Sequence, residues 1–213
     1  MHHTANTYQE LIAELNLKHH PECGVLYCTF LDTPNTKLVN IELTGYYAET
    51  DRQPYKVPTP FVEGTPSRAL ATSIYYLQTY DDPEGYIHMN KSMTYHVLHQ
   101  GRVEYTLITP GSPPRVEVKV MGENISAGES RLLLVPTNVW KSSRLLPEDI
   151  KSASEEPQDK RNKCFSLITE VVVPGFEFED HKYMKMQDLE ALFKDMEEGA
   201  EIVESLKKRI RPE

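Results

Sequence analysis

Cysteine is scarce in this chain: Cys23, Cys28 and Cys164 are the only three, an odd count with no Cys-x-x-Cys spacing. That excludes a disulfide framework and a zinc knuckle, and leaves isolated thiols of a reducing compartment. Basic runs are missing as well. With 23 Lys and Arg against 32 Asp and Glu, the formal net charge is -9, and no Lys/Arg stripe exists that could neutralise phosphates. Binding to nucleic acid or to an anionic membrane surface is therefore not expected. The acidity serves solubility. No apolar run is long enough to span a bilayer, and the polar start MHHTANTYQE lacks a signal-peptide core, so the expected location is cytoplasmic. There is no Gly-rich phosphate loop, no Gly-x-Ser-x-Gly elbow and no internal repeat, and covalent catalysis has no support.

What is present is turn chemistry between short β-prone segments. Residues 68–79, 103–108, 115–120, 131–135 and 165–173 read as strands, separated by Pro110-Gly111-Ser112-Pro113-Pro114 and by turns at Gly122 and Gly128. Regular short strands with such punctuation predict an all-β sandwich or barrel. Residues 54–66 hold four prolines and read as a surface loop or arm. At the N-terminal end, residues 8–17 place Leu11, Ile12 and Leu15 on one helical face with Thr7 as N-cap. Residues 147–163, PEDIKSASEEPQDKRNK, read as a solvated polar loop. From residue 187 the apolar positions Leu189, Leu192, Phe193, Met196, Val203, Leu206 and Ile210 fall at helical spacing broken at Gly199. A helical stripe of this kind packs on its own barrel or on a second subunit.

The chain is organised around residues 85–101, GYIHMNKSMTYHVLHQG, which hold three of its eight histidines. Two short strands about a turn near Asn90 to Met93 put His88 and Asn90 on one face of the first, and Thr94 and His96 on one face of the second. If both faces point inward they line a polar pocket. His99 differs in parity from His96 and faces out.

The spacing His88, Asn90, Thr94, Gly101 resembles the first motif of the cupin superfamily, with only the first ligand position and the glycine matching. The resemblance narrows to the DUF985 (cupin 5) family and its fungal, yeast-type members. It is carried by His20-Pro21-Glu22-Cys23-Gly24, Ser73-Ile74-Tyr75-Tyr76-Leu77, the stretch just described, Val135-Pro136 with Trp140-Lys141, and Val173-Pro174-Gly175-Phe176-Glu177-Phe178-Glu179-Asp180. It implies a double-stranded β-helix, or jelly-roll barrel, with an N-terminal helix and C-terminal helices. The expected organisation is a cupin domain at 1–185 and a C-terminal helical extension at 186–213. Residues 25–45 stand as an insertion relative to the family, either an added hairpin or a retained intron.

A cupin metal site needs three or four nitrogen or oxygen ligands, and the four family positions here hold His88, Asn90, Thr94 and Lys141. Only His88 is a good ligand for a first-row metal, and a protonated lysine repels the cation. His96 or Glu170 could complete a rearranged set. The expected cofactor is none, with a divalent metal disfavoured. A metal-free acid/base site fits the same residues better. His88, His96, Lys141 and Glu170 are the catalytic candidates, with Glu170 as the counter-charge a buried Lys141 needs. Asn90, Thr94, Tyr75, Glu22 and Trp140 are the substrate-binding candidates, Tyr75 and Glu22 by resemblance only. The chemistry implied is that of an isomerase, epimerase, dehydratase or lyase on a polar metabolite, with fungal secondary metabolism as a setting and a homodimer as the assembly. The alternatives are a non-catalytic small-molecule binding protein and a metal-dependent oxygenase with atypical ligands. Interior histidines and an acid can also be a satisfied hydrogen-bond network with no ligand at all.

Overall fold

The computed structural model describes residues 7–19, 45–61 and 67–212. The expected insertion at 25–45, apart from Gly45, and the His20–Gly24 segment with Glu22 lie outside them. In chain order the elements are α1 (Tyr8–Glu14), β1 (Lys18–His19), β2 (Tyr46–Arg52), β3 (Lys56–Val57), β4 (Arg68–Ala69), β5 (Thr72–Thr79), β6 (His88–Asn90), β7 (Met93–Gly101), β8 (Val103–Thr109) and β9 (Arg115–Met121). There follow β10 (Leu132–Val135), β11 (Trp140–Arg144), α2 (Pro147–Ser154), α3 (Gln158–Arg161), β12 (Phe165–Val173), β13 (His181–Tyr183), α4 (Met186–Phe193) and α5 (Gly199–Leu206).

Two antiparallel sheets face each other, one ordered β1-β2-β5-β12-β7-β10 and the other β13-β6-β11-β8-β9. The alternating short strands predict a sandwich or barrel of this kind, and the family resemblance implies its jelly-roll form. Strand alternation divides each sheet into an inner and an outer face. Between the sheets lie Tyr76, Leu98, Val103, Tyr105, Leu107, Leu133, Val135 and Ile168, a single apolar cluster. The outer face of the six-stranded sheet carries Leu77, Leu167 and Phe165 and is covered by Tyr8 and Leu11 of α1. Thr7 caps that helix: its hydroxyl accepts from Glu10 N–H, and Glu10 reaches back to Thr7 N–H at 2.7 Å. This reciprocal pair satisfies two of the first-turn donors.

The outer face of the five-stranded sheet is covered by α4 and α5. Leu189, Phe193 and Leu206 pack there on Ile87, Ile108 and Trp140, so the helical stripe read from the sequence is spent on the chain's own barrel. The chain end is pinned by Arg209, whose guanidinium donates to Thr106 Oγ1 at 2.9 Å and Ser142 Oγ at 3.1 Å. Burial lowers its pKa from the usual arginine range.

The polar stretch 147–163 is corrected from loop to helix. It folds as α2 and α3, with Pro147 in the first turn of α2 beside Glu148 and Asp149 and with Ala153 buried. Proline at the helix start and acids in the first turn suit a helix N-terminus, and Arg102 fastens the turn by donating to Asp149 at 2.9 Å. Cys164 follows these helices half-buried; burial pushes its thiol up to about 11, away from a reactive thiolate.

Candidate functional site in the barrel interior

Lysine is the residue that crosses the barrel. In β11 the register sets Lys141 opposite His88 of β6 and Leu107 of β8, so all three share the inner face. Across the interior, Glu170 of β12 lies opposite His96 of β7, which lies opposite Leu133 of β10. Lys141 Nζ reaches over and donates to Glu170 Oε2 at 2.9 Å, and lies 3.1 Å from His96 Nε2. The structure thus brings His96, Lys141 and Glu170 into direct contact. His96 Nδ1 is 2.9 Å from the Tyr105 hydroxyl and 3.5 Å from Glu170 Oε1.

Taking Lys141 as the ammonium paired with Glu170 assigns the proton positions. An ammonium can only donate, so His96 Nε2 accepts from Lys141 and carries no proton. The imidazole hydrogen is then assigned to Nδ1, where it donates to the Tyr105 oxygen. The result is a neutral histidine between a cation and a phenol, beside a carboxylate. His96 is 0 % and Lys141 2 % exposed, whereas Glu170 is 13 % exposed. The carboxylate is the member of the trio that solvent reaches.

The wall beside Lys141 is built by β6 and β13, where His88 lies opposite Tyr183 and Asn90 opposite His181. His88 Nδ1 is 2.9 Å from the Tyr86 carbonyl oxygen, and its ring lies 5.0 Å from that of His181. Thr94 is buried opposite Val172 and Val135, one strand position pair from His96. At the edge of this wall Asp180 holds both Arg68 and Lys91, the latter at 3.2 Å.

Two expected binding residues are corrected. Tyr75 lies opposite Thr169 and Ala48, which puts it on the outer face of the six-stranded sheet. There it packs with the cluster beneath α1 and meets the His99 ring edge-on at 5.7 Å. Trp140 is adjacent to Lys141 in an extended strand and so must face the opposite way. It is buried under α4 and α5, with Lys182 4.8 Å above its ring. Family resemblance marked the right segments there, but parity decides the face. Conversely, Tyr105, His181 and Tyr183 were not singled out. Tyr105 shares parity with the inward Val103 and Leu107, and His181 and Tyr183 are two apart on a short strand, so alternation was the available signal.

The donor set does not fit a metal. Among the described residues no three His, Cys, Asp or Glu side chains converge so as to hold an ion. The lone pairs that could recruit one, on His96 Nε2 and Glu170 Oε2, already accept from the Lys141 ammonium.

A two-sheet antiparallel jelly roll with an inward polar strand pair at its centre defines a cupin-type barrel. The family described as Cupin superfamily (DUF985) matches residues 33–184, and the chain belongs to it. The His20–Gly24 segment precedes the matched range. A Saccharomyces cerevisiae relative, "Uncharacterized protein YML079W", is 38% identical over 151 residues, covering 68% of this chain and 69% of the relative. Among solved structures, a hypothetical protein from Leishmania major superposes with a TM-score of 0.67 at 22% identity, over 98% of this chain and 100% of the other. A Shewanella oneidensis protein does so with a TM-score of 0.65 at 21% identity, over 98% and 99%. At those identities the two structures speak for the fold.

Proposed function

We propose that the barrel binds a small polar molecule and carries out metal-independent proton transfer on it, as an isomerase, epimerase, dehydratase or lyase. The supporting observation is the buried Lys141–His96–Glu170 trio. A neutral imidazole held between an ammonium and a phenol has both a proton to give and, once Lys141 swings to a ligand oxygen, a lone pair to take one. In this reading Lys141 polarises a carbonyl or hydroxyl, His96 moves the proton, and Glu170 is the counter-charge paired with Lys141. His88, Asn90 and Thr94 lie on the same inner faces beside them. The protein works in the cytoplasm as a homodimer, for which Val97, Leu132 and Leu134, exposed around edge strand β10, offer an apolar surface.

The test has two stages. Native mass spectrometry of protein purified without added metal or chelator, followed by denaturation, identifies the molecule released. That molecule is then incubated with the protein in deuterium oxide. Incorporation of deuterium at carbon that vanishes in His96→Ala, while affinity stays within about tenfold, is the expected result. Ligand recovered unlabelled from the native protein would leave a binding protein in place of an enzyme.

A further inference from the structure

The inner face of β6 and β13 carries polar atoms that the trio does not use. Asn90 is 9 % exposed, and its side-chain oxygen has no hydrogen-bond partner among the described residues. The Ser92 hydroxyl, two residues on, is likewise buried and unpartnered. A buried carbonyl oxygen without a donor is destabilising; the fold carries that cost at the position beside His181 and diagonal to Lys141. Around it the rings are continuous. His181 stands 5.0 Å from His88, 4.8 Å from Tyr183 and 6.0 Å from Phe176, centroid to centroid.

The charges in the trio cancel, one ammonium against one carboxylate. Within the pair, the carboxylate is the partner an entering molecule meets first, because Glu170 is 13 % exposed and Lys141 2 %. An anion would approach Glu170 at close range and find Lys141 already paired. A carboxylated ligand, the natural guess for a barrel with a lysine in it, is therefore disfavoured by the same contacts that bury the lysine.

We propose that this site selects an uncharged, ring-bearing molecule that donates a hydrogen bond to Asn90, and that it discriminates against carboxylates. This rests on the barrel-ligand reading above and narrows its substrate class. The flat ring lies against His88, His181 and Phe176, its N–H or O–H satisfies Asn90, and its carbonyl or hydroxyl oxygen is turned toward Lys141.

Three probes of nearly equal shape separate the contributions: benzamide, which is neutral and donates; acetophenone, which is neutral and does not; and benzoate, which is charged. Each is titrated into the native chain, with binding read from backbone amide shifts of Asn90, His96 and Glu170. Benzamide is expected to bind at least about tenfold more tightly than benzoate, and more tightly than acetophenone. Asn90→Leu, checked for an unchanged cooperative melt, is expected to bring benzamide down to the level of acetophenone. Should that variant not fold, the comparison of probes on the native chain decides. Benzoate binding as well as or better than benzamide, or benzamide equal to acetophenone on the native chain, overturns the proposal while leaving a barrel-bound ligand in place. If none of the three shifts the barrel signals at the limit of its solubility, this inference falls, and the barrel-ligand reading is decided by the native mass spectrometry above.

Discussion

Replacing Lys141 by methionine keeps the length of the side chain and removes its charge, and the consequence can be worked from the contacts. At 2.9 Å from Glu170, and with an effective dielectric of about 20, the pair attracts by roughly 6 kcal/mol. Desolvation of two ions costs several kcal/mol each, so the intact pair contributes little net stability. Breaking it is another matter. Lys141→Met strands Glu170 and leaves His96 Nε2 without its donor, for which about 3–5 kcal/mol is the usual cost of a broken buried pair. Because Glu170 keeps some contact with solvent, the lower end applies. At roughly 2–4 °C per kcal/mol for a chain of this size, the melting temperature falls by about 6–12 °C. Glu170→Gln alone strands the lysine, which is the more enclosed ion, and costs at least as much. The double variant Lys141→Met/Glu170→Gln removes both charges and regains most of the loss, so the double-mutant cycle in urea shows a coupling of about 2 kcal/mol or more. A coupling below about 0.5 kcal/mol, within the scatter of independent sites, would refute the reading of Lys141 and Glu170 as one buried unit.

Tyr105→Phe removes the acceptor for His96 Nδ1–H and should cost about 1–2 kcal/mol; imidazole nitrogen NMR should show the proton on Nδ1 in the native protein, and a proton on Nε2 instead would break the assignment. Gly101 has φ +79, and a Cβ there would run into the Phe165 carbonyl, so Gly101→Ala should destabilise by more than about 1 kcal/mol; an unchanged urea midpoint would count against the β7–β12 geometry. Arg209→Ala leaves the buried Thr106 and Ser142 hydroxyls without their donor and should cost about 2–4 kcal/mol, read as loss of amide-exchange protection in β8 and β11. Burial pushes Asp82 up to about 6 from 3.8. Its folded form holds the proton more tightly than the unfolded chain does, so its contribution weakens stability as pH rises from about 4 to 6 and is restored on acidification. Asp82→Asn should flatten that slope and leave the protein at least as stable at pH 7; a loss of stability at pH 7 would contradict the assignment.

Much of the barrel was legible because its determinants are local. Alternation placed His88 with Asn90 and Thr94 with His96, and the strands observed as β6 and β7 run over those positions. The turn chemistry at residues 110–114 marked the β8–β9 connection, and the helical stripe ending at Ile210 marked the C-terminal cover. The two misplaced binding residues share one cause. Tyr75 and Trp140 sit beside inward residues, and a one-residue step in an extended chain reverses the face, so choosing segments without tracking parity mislaid both. Tyr105 escaped notice because a tyrosine in an apolar alternating strand reads as core until a partner for its hydroxyl is known. Residues 147–163 read as loop because they are so polar; the helix there rests on Pro147, first-turn acids and a tie to Arg102, signals that hydropathy does not register.

The substitution of lysine at a position where the family resemblance leads one to expect a histidine ligand also bears on why the barrel holds together. A metal in such a barrel would tie strands of both sheets to one point, and its loss from the ligand set would leave polar side chains facing an apolar interior. Lys141 supplies a different tie. It starts on β11 in one sheet and ends on β7 and β12 in the other, so the two sheets are joined by directed hydrogen bonds beside the apolar cluster between them. A tie of this kind is strong against separation yet reversible by one side-chain rotation, which a coordinated metal does not offer. Moving Lys141 toward a ligand would uncover His96 Nε2 at the same moment, so that binding and the availability of a base are the same event. If the proposed proton transfer holds, structural clamp and reactive centre are one set of atoms, and no single substitution at Lys141 removes its ammonium without weakening the sandwich.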